Sequence, residues 1–177
     1  MKKITEIADF TFKVLSCLAI IGAGGWAVWG FWLGGWTDWQ DNITLETQVL
    51  PYRDDLRLLV VHAKSKNPRN ATFELDSMKH DSYQMRVRKL PSDAKAGAVF
   101  HEDEGELIAD IDLLKLAGDS YEFLPSAEMD DMQTIVVPAG TTVQVIAEMQ
   151  IHTGGRDKHG QPDIDKNATS TVIHIGP

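Results

Sequence analysis

A run of 24 residues without one charged side chain, residues 14–37, constrains this 177-residue chain more than any other feature. About 20 apolar residues in a helix span the hydrocarbon core of a bilayer, so the run is long enough to cross one with some tilt. A cleaved signal peptide would be shorter and would end at small residues. This run instead continues well past its small triplet, residues 22–24. The sequence therefore predicts an uncleaved transmembrane helix.

The charges on either side of this run predict its orientation. Three lysines lie within residues 1–13, whereas Asp38 and Asp41 follow the run and the first basic residue after it is Arg53. Basic residues favour the cytoplasmic side of a membrane. We therefore expect a cytoplasmic segment (1–13), a transmembrane helix (14–37), a juxtamembrane segment (38–42) and an extracytoplasmic domain (43–177). The expected location is a bacterial inner membrane, with the domain in the periplasm.

The predicted transmembrane helix has two unlike faces. At 100° per residue, one face carries only small side chains and the other carries tryptophans. Small residues let two helices approach closely in lipid, and tryptophans favour the membrane interface. We expect a homo-oligomer or docking on a partner membrane protein. The helix-packing face comprises Ser16, Ala19, Ala23, Ala27, Gly30 and Gly34, and the interfacial belt comprises Trp29, Trp32 and Trp36.

Beyond residue 37 the apolar pattern changes from helical to alternating, which indicates β-strands. The clearest example is residues 143–151, where Val143, Val145 and Ala147 alternate with polar side chains. Residues 117–131 look irregular, and residues 153–167 look like a polar loop. About eight short strands separated by turn residues predict an all-β domain, most simply a β-sandwich, with a barrel left open.

Two segments of this region resemble known domains. Residues 58–68, followed by Phe73-Glu74-Leu75, are similar to the second-strand region of bacterial immunoglobulin-like domains, and residues 136–142 resemble a late turn of the same domains. The whole plan resembles small bacterial inner-membrane proteins that join a Trp-rich signal anchor to such a sandwich. The resemblance implies an immunoglobulin-like β-sandwich over residues 43–177 and transfers no functional residue.

Composition and motifs exclude several classes of function. Residues 14–177 carry 14 basic and 24 acidic side chains, a net charge of −10, which repels a nucleic-acid duplex. The single cysteine, Cys17, leaves the β domain without a disulfide. The sequence has no nucleophile elbow, phosphate loop or dinucleotide fingerprint, and its six histidines lack zinc-hydrolase spacing. We expect a protein that is not an enzyme and has no cofactor and no metal.

One compact basic cluster is the candidate ligand site. Arg86, Arg88 and Lys89 lie on one predicted strand, where the two arginines share a face. Paired guanidinium groups suit an anionic ligand, although a solvated face or a charged edge strand explains the same pattern. We expect a protein-interaction or accessory subunit. The alternatives are an oligomeric membrane effector whose cytoplasmic domain senses a nucleotide-like anion, and a secreted carbohydrate-binding sandwich cleaved near Ala23.

Overall fold

A computed structural model describes the backbone of residues 2–28 and 42–177, with side chains from residue 13 onward in the first range. The chain divides into two compact units, Met1–Trp39 and Gln40–Pro177. In the first unit, helix α1 (Lys2–Val28) begins near the start of the chain. Within the described residues, no helix combines the length and apolar character needed to cross a membrane.

Part of the predicted helix-packing face can be located. Ser16, Ala19, Ala23 and Ala27 all lie on α1. The remaining members of the packing face and the whole interfacial belt lie outside the described residues: Gly30, Gly34, Trp29, Trp32 and Trp36.

The second unit is all-β, as the alternating pattern predicted. Its described residues form nine strands, each antiparallel to its neighbours, together with a 3-10 turn (Ser77–Lys79) and a one-turn helix α2 (Leu113–Leu116). The strands are β1 (Asn42–Pro51), β2 (Leu56–Lys66), β3 (Phe73–Asp76), β4 (Ser82–Lys89), β5 (Glu106–Asp112), β6 (Ser120–Phe123), β7 (Glu128–Pro138), β8 (Thr142–Arg156) and β9 (Pro162–His174).

The strands form three sheets. A three-stranded sheet has the order β1-β2-β7, a four-stranded sheet has the order β5-β4-β8-β9, and β3 pairs with β6. Ser65 Oγ on β2 donates a 2.7 Å hydrogen bond to the hydroxyl of Tyr83 on β4, so the buried faces of the two larger sheets meet. This arrangement fits a β-sandwich. Its buried residues include Leu59, Val61 and Ala63 of β2, Met85 and Val87 of β4, and Val143, Val145, Ala147 and Met149 of β8.

Two expectations about loops were wrong. Residues 117–131 contain β6 and the start of β7. The short strand β6 is stabilised by pairing with β3, and Phe123 stacks on Phe73 with ring centroids 4.6 Å apart. Residues 153–167 are largely an extended β8–β9 ribbon, which pairs Arg156 with Pro162. Apart from Ile164, the side chains of that ribbon are polar or glycine and most are exposed, so its sequence shows no apolar alternation from which strands could be predicted.

Asn67, just after β2, connects three chain segments through the hydrogen bonds of its side chain. Its side chain is fully buried, and its Nδ2 group donates to the carbonyl oxygens of Ala71, Phe123 and Leu124 at 2.9, 3.0 and 3.1 Å. Its Oδ1 accepts a 2.9 Å hydrogen bond from the Arg69 amide. The turn at this position therefore contains a buried amide that satisfies carbonyl groups from distant parts of the chain.

Replacing Asn67 with alanine should destabilise the domain by about 3 kcal/mol, because buried carbonyl groups would lose their donor. The measurement is the urea-unfolding midpoint of the full chain. Asn70→Ala is the matched control, since Asn70 is exposed in the same turn and its loss should cost less than about 0.5 kcal/mol. Equal unfolding midpoints for the two variants would contradict the stabilising role assigned to the Asn67 side chain.

Candidate functional site

The outer face of the four-stranded sheet carries a buried carboxylate between two cations. Adjacent strands bring Arg86 (β4), Glu148 (β8) and Lys166 (β9) together, since all three residues alternate away from the core. Arg86 Nη2 donates to Glu148 Oε2 at 2.7 Å, and Lys166 Nζ approaches the same oxygen at 2.9 Å. Gln150 Nε2 donates to the other oxygen, Oε1. The carboxylate is thus bound by side chains from three strands, β4, β8 and β9.

A shallow depression of about 440 Å³ opens beside this carboxylate. Its rim comes from the long β4–β5 connection, which contributes His101, Glu102 and Asp103. Lys166 Nζ lies 3.7 Å from Glu102 Oε2, so the lysine links the rim to the sheet. The lining side chains carry two positive charges and three negative charges when His101 is neutral. The depression therefore offers little attraction to an anion.

The electrostatics of Glu148 follow from its surroundings. Burial is the largest single influence and acts to raise the pKa of its carboxyl, but the hydrogen bonds from Lys166 and Gln150, together with the nearby positive charges, give a net lowering. The positive charges of Lys166 and Arg86 act in the same direction, so the pKa of Glu148 is lowered from its ordinary value. The hydrogen bond to Glu148 in turn raises the pKa of Lys166. Both groups are therefore charged at neutral pH and hold the outer face together.

The three cations of the predicted anion site each have a partner within the protein. Arg86 binds Glu148, Arg88 Nη1 donates to the Gly105 carbonyl at 3.1 Å, and Lys89 Nζ lies 3.8 Å from Glu106 Oε2. Gly105 has φ +86°, and a Cβ there would collide with the Lys89 carbonyl, so glycine holds the loop close to the strand. The anion site stays a prediction, and an anion would have to displace these contacts.

Sequence reasoning missed Glu148 and Lys166 as neighbours of Arg86. Glu148 follows Arg86 by 62 positions, and no local pattern reports the strand register that pairs them. A signal did exist at Glu148, because it is an ionisable residue within residues 143–149, the stretch of β8 that is buried on both faces. A buried acid implies a partner, but its identity required the sheet order. In the described part of the chain, no group of three or more His, Cys, Asp or Glu side chains is arranged to hold a metal ion.

The outer face of the three-stranded sheet carries a second surface, an apolar one. Leu50, Leu58 and Val136 are directly opposite one another across β1, β2 and β7, and we call these three residues the apolar row. Leu50 is 36% and Val136 45% exposed. The next outward position on β2 is Val60, which is half-buried. At the start of β2, the outward side chains of Leu58 and Val60 are therefore half-buried and lie between more exposed apolar residues of β1 and β7.

The remainder of this outer face carries acidic and basic side chains in nearly equal number. Lys64 Nζ lies 2.7 Å from Glu46 Oε1, and His62 Nδ1 lies 3.0 Å from Asp130 Oδ1. The hydrogen bond with Glu46 raises the pKa of Lys64, which keeps the lysine charged. This half of the sheet is polar apart from the exposed Met132, which lies opposite His62, and it carries little net charge, whereas the domain as a whole is acidic.

Comparisons with known proteins identify no relative from which a function could be transferred. No protein-family model matches the chain, and no curated protein matches it. A crystal structure of a protein from Archaeoglobus fulgidus aligns with 77% of this chain and 99% of its own, at 10% sequence identity and a TM-score of 0.37. A TM-score of that size is too low to show a common fold.

Replacing Glu148 with glutamine should lower the unfolding free energy at pH 7 by about 2 kcal/mol, because two neighbouring cations lose their counter-charge. The folded-state pKa of Glu148 is lowered, so its contribution is complete above the ordinary carboxyl pKa and is lost as the pH falls through the folded value. The difference in unfolding free energy between the wild type and the variant should therefore become smaller at acidic pH. Unfolding midpoints measured between neutral pH and about pH 3 check this.

Glu46→Gln is the matched control, since it breaks a cross-strand pair of similar length in which the glutamate is 64% exposed. Its cost should stay below about 1 kcal/mol. If the two variants lost equal stability, or if the Glu148 gap widened in acid, the role assigned to the buried carboxylate would be wrong.

Proposed function

We propose that this chain is a non-catalytic, single-pass membrane protein whose β domain acts as an interaction module or accessory subunit outside the cytoplasm. The observation that carries the proposal is the apolar row on the outer face of the three-stranded sheet. Large contiguous apolar patches are rare on monomeric proteins and are typical of protein-interaction surfaces. Leu50 and Val136 lie at its two ends and are both exposed.

The strand order supports an immunoglobulin-like sandwich for this module. In that fold, strands A, B and E lie in one sheet and strands C, F and G in the other. Here β1, β2 and β7 occupy the positions of A, B and E, and β4, β8 and β9 occupy those of C, F and G. An added strand, β5, lies beside β4. Sandwiches of this type present outer faces and loops to partners and need no catalytic residue.

The membrane anchor is supported by the sequence. The uncharged run reaches residue 37, and its last nine residues lie beyond the part of α1 that the structure describes. In the described part, Leu18, Ile20 and Ile21 are 61%, 71% and 70% exposed. Side chains of this kind favour lipid over water. The small residues on α1 support assembly with a second helix in that environment.

A single cysteine in the β8–β9 ribbon tests the topology. Lys158→Cys in a Cys17→Ser background should react with a membrane-impermeant maleimide in intact spheroplasts, because the proposal places the domain outside the cytoplasm. Lys3→Cys in the same background is the reciprocal control and should react only after lysis. The reversed pattern would favour the effector with a cytoplasmic, anion-sensing domain. Release of the chain from membranes by alkaline carbonate would contradict the anchor itself.

The interaction surface is tested with two matched valines. Val136→Asp places a charge in the apolar row, whereas Val172→Asp places one on the outer face of the four-stranded sheet, where Val172 is 58% exposed. When the tagged full chain is purified from solubilised membranes, the amount of polypeptide bound to it should fall about tenfold with Val136→Asp. It should stay unchanged with Val172→Asp. Wild-type chain that recovers neither a partner nor a second copy of itself would overturn the interaction module.

A further inference from the structure

We propose that residues 100–105 act as a strap that closes over the outer face of the four-stranded sheet and opens without unfolding of the sandwich. The strap includes the rim of the depression and ends where β5 begins. When it is closed, it shields the outward side chains of β4 and β8. The strap lies on a different surface from the apolar row and does not depend on the proposed function.

The strap crosses its sheet from one edge to the other. In the order β5-β4-β8-β9, strands β5 and β9 are the two edges. Gly105 directly precedes β5, and its carbonyl accepts the 3.1 Å hydrogen bond from Arg88 Nη1 on β4. Glu102, three positions earlier, meets Lys166 on β9 at 3.7 Å. The segment between these two contacts therefore runs over the outer sides of β4 and β8.

The burial of β8 shows that its outer side is covered. Strand alternation directs Gln144, Ile146 and Glu148 away from the core, yet these residues are only 9%, 1% and 7% exposed. By contrast, Val172 lies on the same face of the neighbouring strand and is 58% exposed. An outward isoleucine that is fully buried requires a cover on its solvent side. The strap provides that cover together with Arg86, which lies opposite Ile146.

The strap is fastened weakly at its β9 end. The contact with Lys166 is an ion pair whose two side chains are 47% and 55% exposed, and exposed pairs contribute little stability. Phe100 is half-buried, whereas residues 91–99, which lead into the strap, are all exposed. Segments with few buried contacts open at a lower free energy than the whole domain. The strap therefore lifts from Lys166 while Gly105 stays close to β4 as its pivot.

Opening reverses the sign of the charge on this face. The strap contributes three acidic side chains, at residues 102–104. The outward side chains beneath and beside it comprise three cations and two carboxylates, namely Arg86, Arg88 and Lys166 with Glu148 and Asp110. The closed face is therefore negative and repels anions, whereas the open face is positive. The strap thus controls whether an anion can approach the two arginines.

The test measures how fast a cysteine beneath the strap is alkylated. In the full chain with Cys17→Ser, purified in mild detergent, Ile146→Cys should react slowly with N-ethylmaleimide, through opening of the strap. Adding Glu102→Gln should raise the rate about fivefold, because losing an exposed ion pair shifts the opening equilibrium by up to that factor. Raising the salt from about 0.05 M to about 0.5 M should raise the rate only while Glu102 is present. Gln144→Cys is a second reporter on the same face, and unfolding midpoints establish which variants are folded.

Three controls separate strap opening from other causes of reactivity. Val172→Cys, exposed on the same face, should react fast with or without Glu102→Gln. Ala147→Cys faces the core, so it should react only through global unfolding and should not respond to Glu102→Gln. Glu46→Gln breaks an ion pair on the other sheet and should leave the Ile146→Cys rate unchanged.

Two outcomes would overturn the proposal. If the reporter cysteines reacted as fast as Val172→Cys in the otherwise wild-type chain, the strap would not be closed. If they reacted as slowly as Ala147→Cys with and without Glu102→Gln, the strap would open only when the sandwich unfolds.

Discussion

The face-to-face burial of β2, β4 and β8 is the constraint on which the rest of the β domain depends. Each of these strands has neighbours on both sides within its sheet, so its backbone groups are satisfied and one set of alternating side chains can be removed from water. Ser65 and Tyr83 place a hydrogen bond inside this core, between the two larger sheets. The polar pair therefore fixes how the sheets align without leaving a buried hydroxyl unsatisfied.

The outer faces follow from that arrangement and have opposite characters. On the four-stranded sheet, the rim residues 101–103 lie beside Glu148, and the buried carboxylate is neutralised by Arg86 and Lys166. On the three-stranded sheet, the charged residues form pairs at one end and the apolar row lies at the other. A stabilising ion cluster and an exposed apolar row are therefore separated onto the two sides of one domain.

The candidate surfaces were only partly predictable from the sequence. Arg86 and Arg88 were identified as a pair on one strand face, and the structure places both on the outward side of β4. Their acidic and carbonyl partners come from β8 and from Gly105, which are distant in sequence or lie across a loop. The apolar row could not be recognised at all, because its members lie on three strands and each alone looks like an ordinary core residue.

The sequence by itself determined the change from a helical N-terminal segment to an all-β domain, because the period of apolar residues reports local backbone geometry. It also determined which side chains of β4 and β8 face the core, since strand alternation is local. Only the tertiary structure decided that β6 is a strand, that Asn67 joins three segments, and that Leu50, Leu58 and Val136 form one surface. These features depend on strand register and sheet order, which are set by contacts between residues far apart in the chain.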